Sequence, residues 1–223
     1  MNTEPRLVEV RRNVLKQNDV LAAELRQRFR TAGVYTVSLV SAPGSGKTAF
    51  LERTLTQFRG SHRVAALVGD LATENDAARL RRSQVPVKQI VTGTVCHLDA
   101  GMVRSALDDW DTGPLDFLFI ENVGNLVCPS SYDLGEQLRL VLLSVTEGED
   151  KPLKYPTIFN SADIAVITKV DLAAAVEFDW DAALANIHAV RPNMEVLRVS
   201  AKTGEGMAQW QQFLESRAAS SVK

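Results

Sequence analysis

Cysteine is almost missing from this chain of 223 residues: Cys96 and Cys128 are the two present, and histidine occurs three times. Two thiols cannot form a disulfide framework, so the fold must rest on a buried core, and this usage predicts the reducing cytoplasm. An excess of charge of either sign is also missing. A net charge of −2 offers no basic field for nucleic acid or for an anionic membrane. No apolar run approaches the length needed to span a bilayer, and Met1-Asn-Thr-Glu-Pro-Arg6 has no apolar signal segment. Low-complexity tracts and internal repeats do not occur. What is present is ordinary for a globular chain, 45% hydrophobic and 23% charged residues, which suits one sizeable core and would crowd two. A single domain over 1–223 is expected.

The apolar residues fall into two periods. Between residues 7 and 30, Leu7, Val8, Val14, Leu15, Leu21, Ala22, Leu25 and Phe29 recur at helical spacing among polar neighbours, and Gly33 follows. This predicts an amphipathic helix, with 1–33 packed on the outside of the domain. Further on, short Val/Ile/Leu runs read as strands: Val37 to Val40, Arg63 to Asp70, Val85 to Val91, Leu115 to Ile120, Leu138 to Val145, Ile164 to Thr168 and Glu195 to Ser200. Helical patterns fill the gaps, at about Thr48 to Phe58, Asp76 to Arg82, Leu98 to Trp110, Asp181 to Val190 and Met207 to Arg217. Such alternation predicts an α/β fold with a mostly parallel central sheet of about seven strands and helices on both faces. In sheets of this kind ligands bind beyond the carboxyl ends of the strands.

The first strand runs into Ser41-Ala-Pro43-Gly44-Ser45-Gly46-Lys47-Thr48-Ala49. Gly44 and Gly46 let the backbone approach a ligand with its N–H groups inward, and the helix that follows adds positive partial charge. Lys47 supplies a cation for β/γ phosphates, and the Thr48 hydroxyl is a hard oxygen ligand for Mg²⁺. This is a P-loop, with Ser41 where the G-x-x-x-x-G-K-S/T pattern has its first glycine.

Asp70 and Glu121 both read as lying one step past a buried strand, where they would face that loop. Phosphoryl transfer needs Mg²⁺ held near the phosphates and a water aligned with the breaking bond, and two converging carboxylates suit both tasks. With Lys47 they form the candidate catalytic set, and with Thr48 the candidate Mg²⁺ site; either acid alone reads equally as a loop cap. Glu121-Asn-Val-Gly124 also has the form of the carboxylate-x-x-Gly turn that places a backbone N–H near a γ-phosphate. Thr168-Lys169-Val-Asp171 follows the sixth strand, and an aspartate there can accept from the guanine ring N–H and its exocyclic amine together while the lysine stem covers the base. Ser200-Ala201-Lys202 after the seventh strand fits a backbone N–H offered to the guanine oxygen. The order of these three motifs points to GTP, although Asp171 alone reads also as a helix cap and Thr168 stands where the guanine motif has Asn.

Cys96 and His97 are adjacent in one loop, and Cys128 follows Glu121 on a later one. Thiolate and imidazole suit Zn²⁺ or Ni²⁺, and three donors leave a position open or allow two chains to pool ligands. A buried free thiol is the commoner fate of such a cysteine. The position of Cys128, on a segment expected to respond to the γ-phosphate, would link metal affinity to nucleotide state.

Over about Asn13 to Leu214 the chain resembles a known family, the hydrogenase nickel-incorporation GTPases (HypB), within the signal-recognition/MinD/BioD class of P-loop proteins. The resemblance lies in Ser41 to Thr48, Gly69-Asp-Leu-Ala-Thr-Glu-Asn-Asp76, Thr92-Gly-Thr-Val-Cys-His-Leu-Asp-Ala100, Phe119 to Pro129 and Ser144 to Pro156. That family tolerates serine at the first P-loop position. The resemblance implies a Mg²⁺-dependent GTPase that loads nickel during maturation of nickel-iron hydrogenase with a small zinc-containing nickel chaperone, and so reaches the hydrogenase large subunit indirectly. No arginine is placed as a catalytic finger, so slow turnover is expected. It also implies nucleotide-dependent homodimerisation, with Cys96, His97 and Cys128 forming a metal site at the interface. Residues 1–12 have neither the Cys-rich motif nor the His-rich stretch of many members, so N-terminal nickel storage is not expected. Lys151 and Lys154 fall in a family-like segment and receive no role. Two other readings stand beside this one: a nickel-insertion GTPase of the urease type, and a non-catalytic scaffold gated by nucleotide.

Overall fold

In the computed structural model, which describes residues 4–70 and 75–221, seven strands form one sheet in the order β3-β2-β4-β1-β5-β6-β7, and every neighbouring pair is parallel. The expected mostly parallel sheet is parallel throughout. Leu71 to Glu74, inside one of the strings that carry the family resemblance, and the side chains of Leu7 and Val8 lie outside the described residues.

The strands are β1 (Tyr35–Ser41), β2 (Val64–Asp70), β3 (Val87–Val91), β4 (Phe117–Glu121), β5 (Leu138–Ser144), β6 (Ile164–Thr168) and β7 (Glu195–Arg198). The helices are α1 (Glu4–Ala32), α2 (Lys47–Phe58), α3 (Asn75–Leu80), α4 (Ala100–Asp108), α5 (Lys151–Lys154), α6 (Pro156–Ser161), α7 (Trp180–Val190) and α8 (Met207–Ser221). β3 and β7 each fall two residues short of their apolar runs. β3 begins after Pro86, which has no N–H to give to a ladder. β7 ends at Arg198; the Val199 N–H still donates to the Ile167 carbonyl at 2.8 Å, and Ser200 turns into the next loop, its N–H donating to the Glu205 carbonyl at 2.9 Å. Helix α4 starts later than expected because Asp99 caps it, its carboxylate accepting the Met102 N–H at 2.8 Å.

Side-chain alternation along the strands feeds two faces. On one, Val37, Leu39, Phe119 and Val166 meet Phe50, Leu51, Leu55 and Phe58 of α2 and Met207, Trp210 and Leu214 of α8. Each of those large side chains, removed fully from water, contributes about 1.5–3 kcal/mol before the entropy of ordering is subtracted. On the other face, Ala65, Leu67, Leu118 and Ile120 pack on Ala22, Leu25 and Phe29 of α1 and on Val103 of α4. Val40, Val141, Leu143 and Ile167 pack on α6 and α7. The N-terminal helix therefore lies outside the sheet, as its single apolar stripe requires. Its chain turns into β1 at Gly33, whose φ is +67°.

Candidate functional site

The site is built at the carboxyl edge of the sheet, where β1, β4 and β2 end side by side. Between β1 and α2 the chain turns through Gly46 at φ +89°, a conformation that L side chains rarely adopt, and α2 begins at the next residue. Ser41, where a glycine stands in the general motif, is fully buried, and its Oγ accepts the Ser45 hydroxyl at 2.7 Å. The serine thus pins the loop from inside.

Lys47 and Glu121 are 8% and 0% exposed, and Lys47 Nζ donates to Glu121 Oε1 at 2.8 Å. The Thr48 hydroxyl donates to the same oxygen at 2.6 Å. Glu121 is the last residue of β4, in register with Leu39 on one side and Val68 on the other, so it stands inside the sheet rather than one step beyond it. Its second oxygen, Oε2, is buried with no hydrogen-bond partner. A buried carboxylate oxygen without a partner carries a large desolvation cost unless a cation or a donor meets it. Asp70 closes β2, two residues beyond the register partner of Glu121, and is half-buried.

Beside the loop lies a cavity of about 230 Å³ lined by Gly46, Ala49, Lys169, Asp171, Ser200, Ala201 and Lys202, with Phe50, Leu172 and Val199 as its apolar walls. Lys169 sits at φ +58° and donates to Gly44 O at 2.7 Å, so its stem crosses Gly46; a Cβ added there would meet Lys169 Cε at 3.5 Å. Asp171 accepts the Ser200 hydroxyl at 2.6 Å, which fixes its carboxylate at the mouth of the cavity. Thr168 donates through Oγ1 to Ser45 O at 2.5 Å. The threonine therefore ties the sixth strand to the P-loop by its own hydroxyl. Pro43, the remaining P-loop residue of the set, packs its backbone against Gly124.

The third cluster lies on the loops after β3 and β4. Cys96, His97 and Cys128 bring their ligand atoms within 4.8 Å of one another, all half-buried, and the two sulfurs are 2.8 Å apart. Nδ1 of His97 is buried without a hydrogen-bond partner, and its ring stacks on Tyr132 with centroids 3.9 Å apart. Burial holds the His97 pKa below its ordinary 6.5 against the opposing charge of Asp99. A neutral imidazole with a free nitrogen beside two thiols is a donor set suited to a borderline-soft divalent metal.

Several residues around this cluster escaped the reading of the sequence. Tyr132 is held by Arg139, which donates to its carbonyl at 2.6 Å and to Glu136 at 2.7 Å, and Glu136 also accepts the Ser38 hydroxyl at 2.9 Å. Asn18 of α1 bridges the Ala100 N–H and the Asp133 carbonyl, each at 2.9 Å, so the N-terminal helix braces both loops. The signal available was the cluster of polar side chains Tyr132, Asp133, Glu136 and Gln137 placed just before a buried strand.

This sheet and this loop give the chain the fold of the P-loop NTPases. The CobW/HypB/UreG nucleotide-binding domain family matches residues 35–198, three-quarters of the chain. The hydrogenase maturation factor HypB of Azotobacter vinelandii is 47% identical over 213 residues, which is 96% of this chain and 70% of that protein. The hydrogenase/urease maturation factor HypB of Helicobacter pylori is 42% identical over 217 residues, 96% of this chain and 89% of that protein. The crystal structure of HypB from Helicobacter pylori in complex with nickel superposes with a TM-score of 0.86 at 40% identity, covering 93% of this chain and 97% of that one. The chain belongs to the HypB family. Among its described residues no helix is long and apolar enough to cross a membrane.

Proposed function

We propose that the chain, as one GTPase domain, is a GTP-hydrolysing metallochaperone that delivers nickel during the maturation of nickel-iron hydrogenase. The observation that carries this reading is the convergence of Cys96, His97 and Cys128 within 4.8 Å, on loops that leave the same sheet edge as the P-loop. Two relatives give it support by name: the Azotobacter protein as a hydrogenase maturation factor, and the Helicobacter structure as a complex with nickel. The Helicobacter pylori sequence, named for hydrogenase and urease together, favours a urease as a second client.

In this reading guanine enters the cavity at Asp171, whose two oxygens accept the ring N–H and the exocyclic amine. Lys169 covers the base, and Ala201, between Ser200 and Lys202, offers its N–H to the guanine oxygen. The phosphates lie along Pro43 to Ala49. Thr48, Asp70 and Glu121 would hold Mg²⁺, which screens phosphate charge when bound, and the unpartnered Oε2 of Glu121 fits that use. Lys47 neutralises the charge that gathers on the transferring phosphoryl oxygens, and one of the two acids orients the attacking water. Turnover is slow, about 10⁻⁴ to 10⁻² s⁻¹, the unassisted range for this chemistry. Nickel, or zinc in its place, is cargo on the cysteine and histidine donors. Cytoplasmic location, a nucleotide-dependent homodimer that pools those donors, and a small zinc-containing nickel chaperone as supplier complete the proposal.

Phosphate release from GTP is the direct test. The wild-type chain should release phosphate with Mg²⁺ and lose that activity on chelation or in Lys47→Ala. Equal release in all three would leave the enzyme reading without support, and binding without release would favour the gated scaffold.

A further inference from the structure

Residues 121–128 touch both candidate sites. At one end Glu121 holds Lys47 and Thr48. Three residues on, a Cβ at Gly124 would stand 3.1 Å from the Pro43 Cα, so the segment lies directly against the P-loop backbone. At the other end the Asn125 carboxamide oxygen accepts the N–H groups of Val127 at 2.7 Å and Cys128 at 3.3 Å. Between them stands Asn122, 1% exposed. Its Oδ1 accepts two N–H groups at 2.9 Å: that of Val123, its own neighbour, and that of Leu98, which directly follows His97. The Leu98 side chain is fully buried and packs on Gly69, the residue before Asp70.

One amide oxygen thus joins the backbone that carries the phosphate-facing carboxylate to the backbone that carries two of the three metal donors. Both N–H groups are shielded from water, so the bond cannot be exchanged for a solvent one at no cost. A displacement of Glu121 must carry Asn122 with it, and either the Leu98 loop follows or a buried N–H is stranded. Cys128 moves on the same segment. The donors of Cys96 and His97 sit on one side of this bond and that of Cys128 on the other, so its geometry sets their separation.

We propose that Asn122 is the positioning residue through which occupancy of the phosphate site changes the affinity of the Cys96, His97 and Cys128 cluster for a divalent transition metal. The proposal rests on the reading of those clusters as nucleotide and metal sites. A merely structural amide would alter metal affinity by the same factor in every nucleotide state; a relay alters the ratio between states.

The test titrates Ni²⁺ into the full chain loaded with GDP or with a non-hydrolysable GTP analogue, for wild type, Asn122→Leu and Asn122→Asp. The wild-type dissociation constants should differ between the two states by at least about fivefold, the lower end of ordinary coupling between sites. In Asn122→Leu, which keeps the volume and removes the acceptor, the ratio should fall to about one while the analogue still binds. Asn122→Asp keeps an acceptor oxygen and should restore the ratio. A wild-type ratio in Asn122→Leu overturns the proposal, as does a wild-type ratio of one. Wild-type protein that takes up no nickel in either state removes the metal reading itself, and the relay with it. Should Asn122→Leu fail to fold, hydrogen exchange on the unaltered chain decides: the Leu98 amide should exchange at least about tenfold differently in the two nucleotide states, and equal rates overturn the proposal.

Discussion

The ammonium of Lys47 and the carboxylate of Glu121 form a buried ion pair at 2.8 Å, so the cation assigned to phosphate is also the counter-charge of the acid beside it. Removing one partner of such a pair strands the other, at a cost of about 3–5 kcal/mol. Lys47→Ala should therefore do more than stop turnover. It should lower the urea midpoint of the protein without nucleotide, and Lys47→Met combined with Glu121→Gln should recover most of that loss while staying inactive. A Lys47→Ala protein as stable as wild type would show that the pair contributes nothing.

The Asp171 carboxylate, fixed by Ser200 at 2.6 Å, is assigned the discrimination of guanine from adenine. Asp171→Ala should weaken GDP binding by about 1.5–3 kcal/mol, the worth of hydrogen bonds to a charged group, and should bring the affinities for guanine and adenine nucleotides together. Fluorescent-nucleotide titration measures both. Unchanged preference for GDP over ADP would move the base to another pocket.

Acid stability depends on a different pair, at the opposite end of the sheet. Arg63 donates through its side chain to both oxygens of Asp116 and through its backbone N–H to Oδ2 at 2.7 Å. The side-chain hydrogen bonds come first among the causes that lower the Asp116 pKa from 3.8 to about 2. The sign follows from linkage: a carboxyl held lower in the folded state adds stability above its ordinary pKa, and that contribution is lost as pH falls from 3.8 through about 2. Solvent reaches both side chains, so the effect is small and sensitive to salt. Carbon-13 NMR of Asp116 should give a midpoint near 2 in wild type and a return toward 3.8 in Arg63→Met.

Helix α8 is fastened to α2 through Trp210, whose indole N–H donates to Thr54 Oγ1 at 3.0 Å in the interior. The Thr54 hydroxyl in turn donates to the Phe50 carbonyl at 2.9 Å. Thr54→Val keeps the volume and leaves the indole N–H without an acceptor, which should cost about 1–3 kcal/mol. In a domain of this size each kcal/mol lowers Tm by about 2–4 °C. Thr54→Ser should behave as wild type, and a Thr54→Val protein with wild-type Tm would mean that the indole has another partner.

The parts of this molecule that could be read in the sequence are those whose chemistry is local. The turn from Ser41 to Thr48 states its own backbone and ligand, and Asp70, Glu121, Thr168 and Ser200 stand at or just beyond the ends of apolar runs that had to be strands. Strand ends were less legible, because β7 stops at Arg198, where its register with β6 ends at Ile167, and that is a property of two segments. Thr168 stands where the guanine motif has Asn, and the contact its hydroxyl makes with Ser45 is not legible from that motif. Asn122 bonding Leu98, Tyr132 stacking on His97 and Asn18 bracing both cysteine-bearing loops join residues remote in sequence. No periodicity or motif announces such pairs; they are set by how α1, β4 and the two loops come together.

Nickel binding to the wild-type chain, followed through the thiolate-to-nickel absorption and counted by equilibrium dialysis, tests the central claim most directly. With GTP analogue bound, wild type should take up Ni²⁺ with a thiolate-to-nickel band. Cys96→Ala and Cys128→Ala should each lose that band and the tight uptake while still binding the analogue. Uptake unchanged in both variants, or a wild-type spectrum without thiolate ligation, would contradict the account.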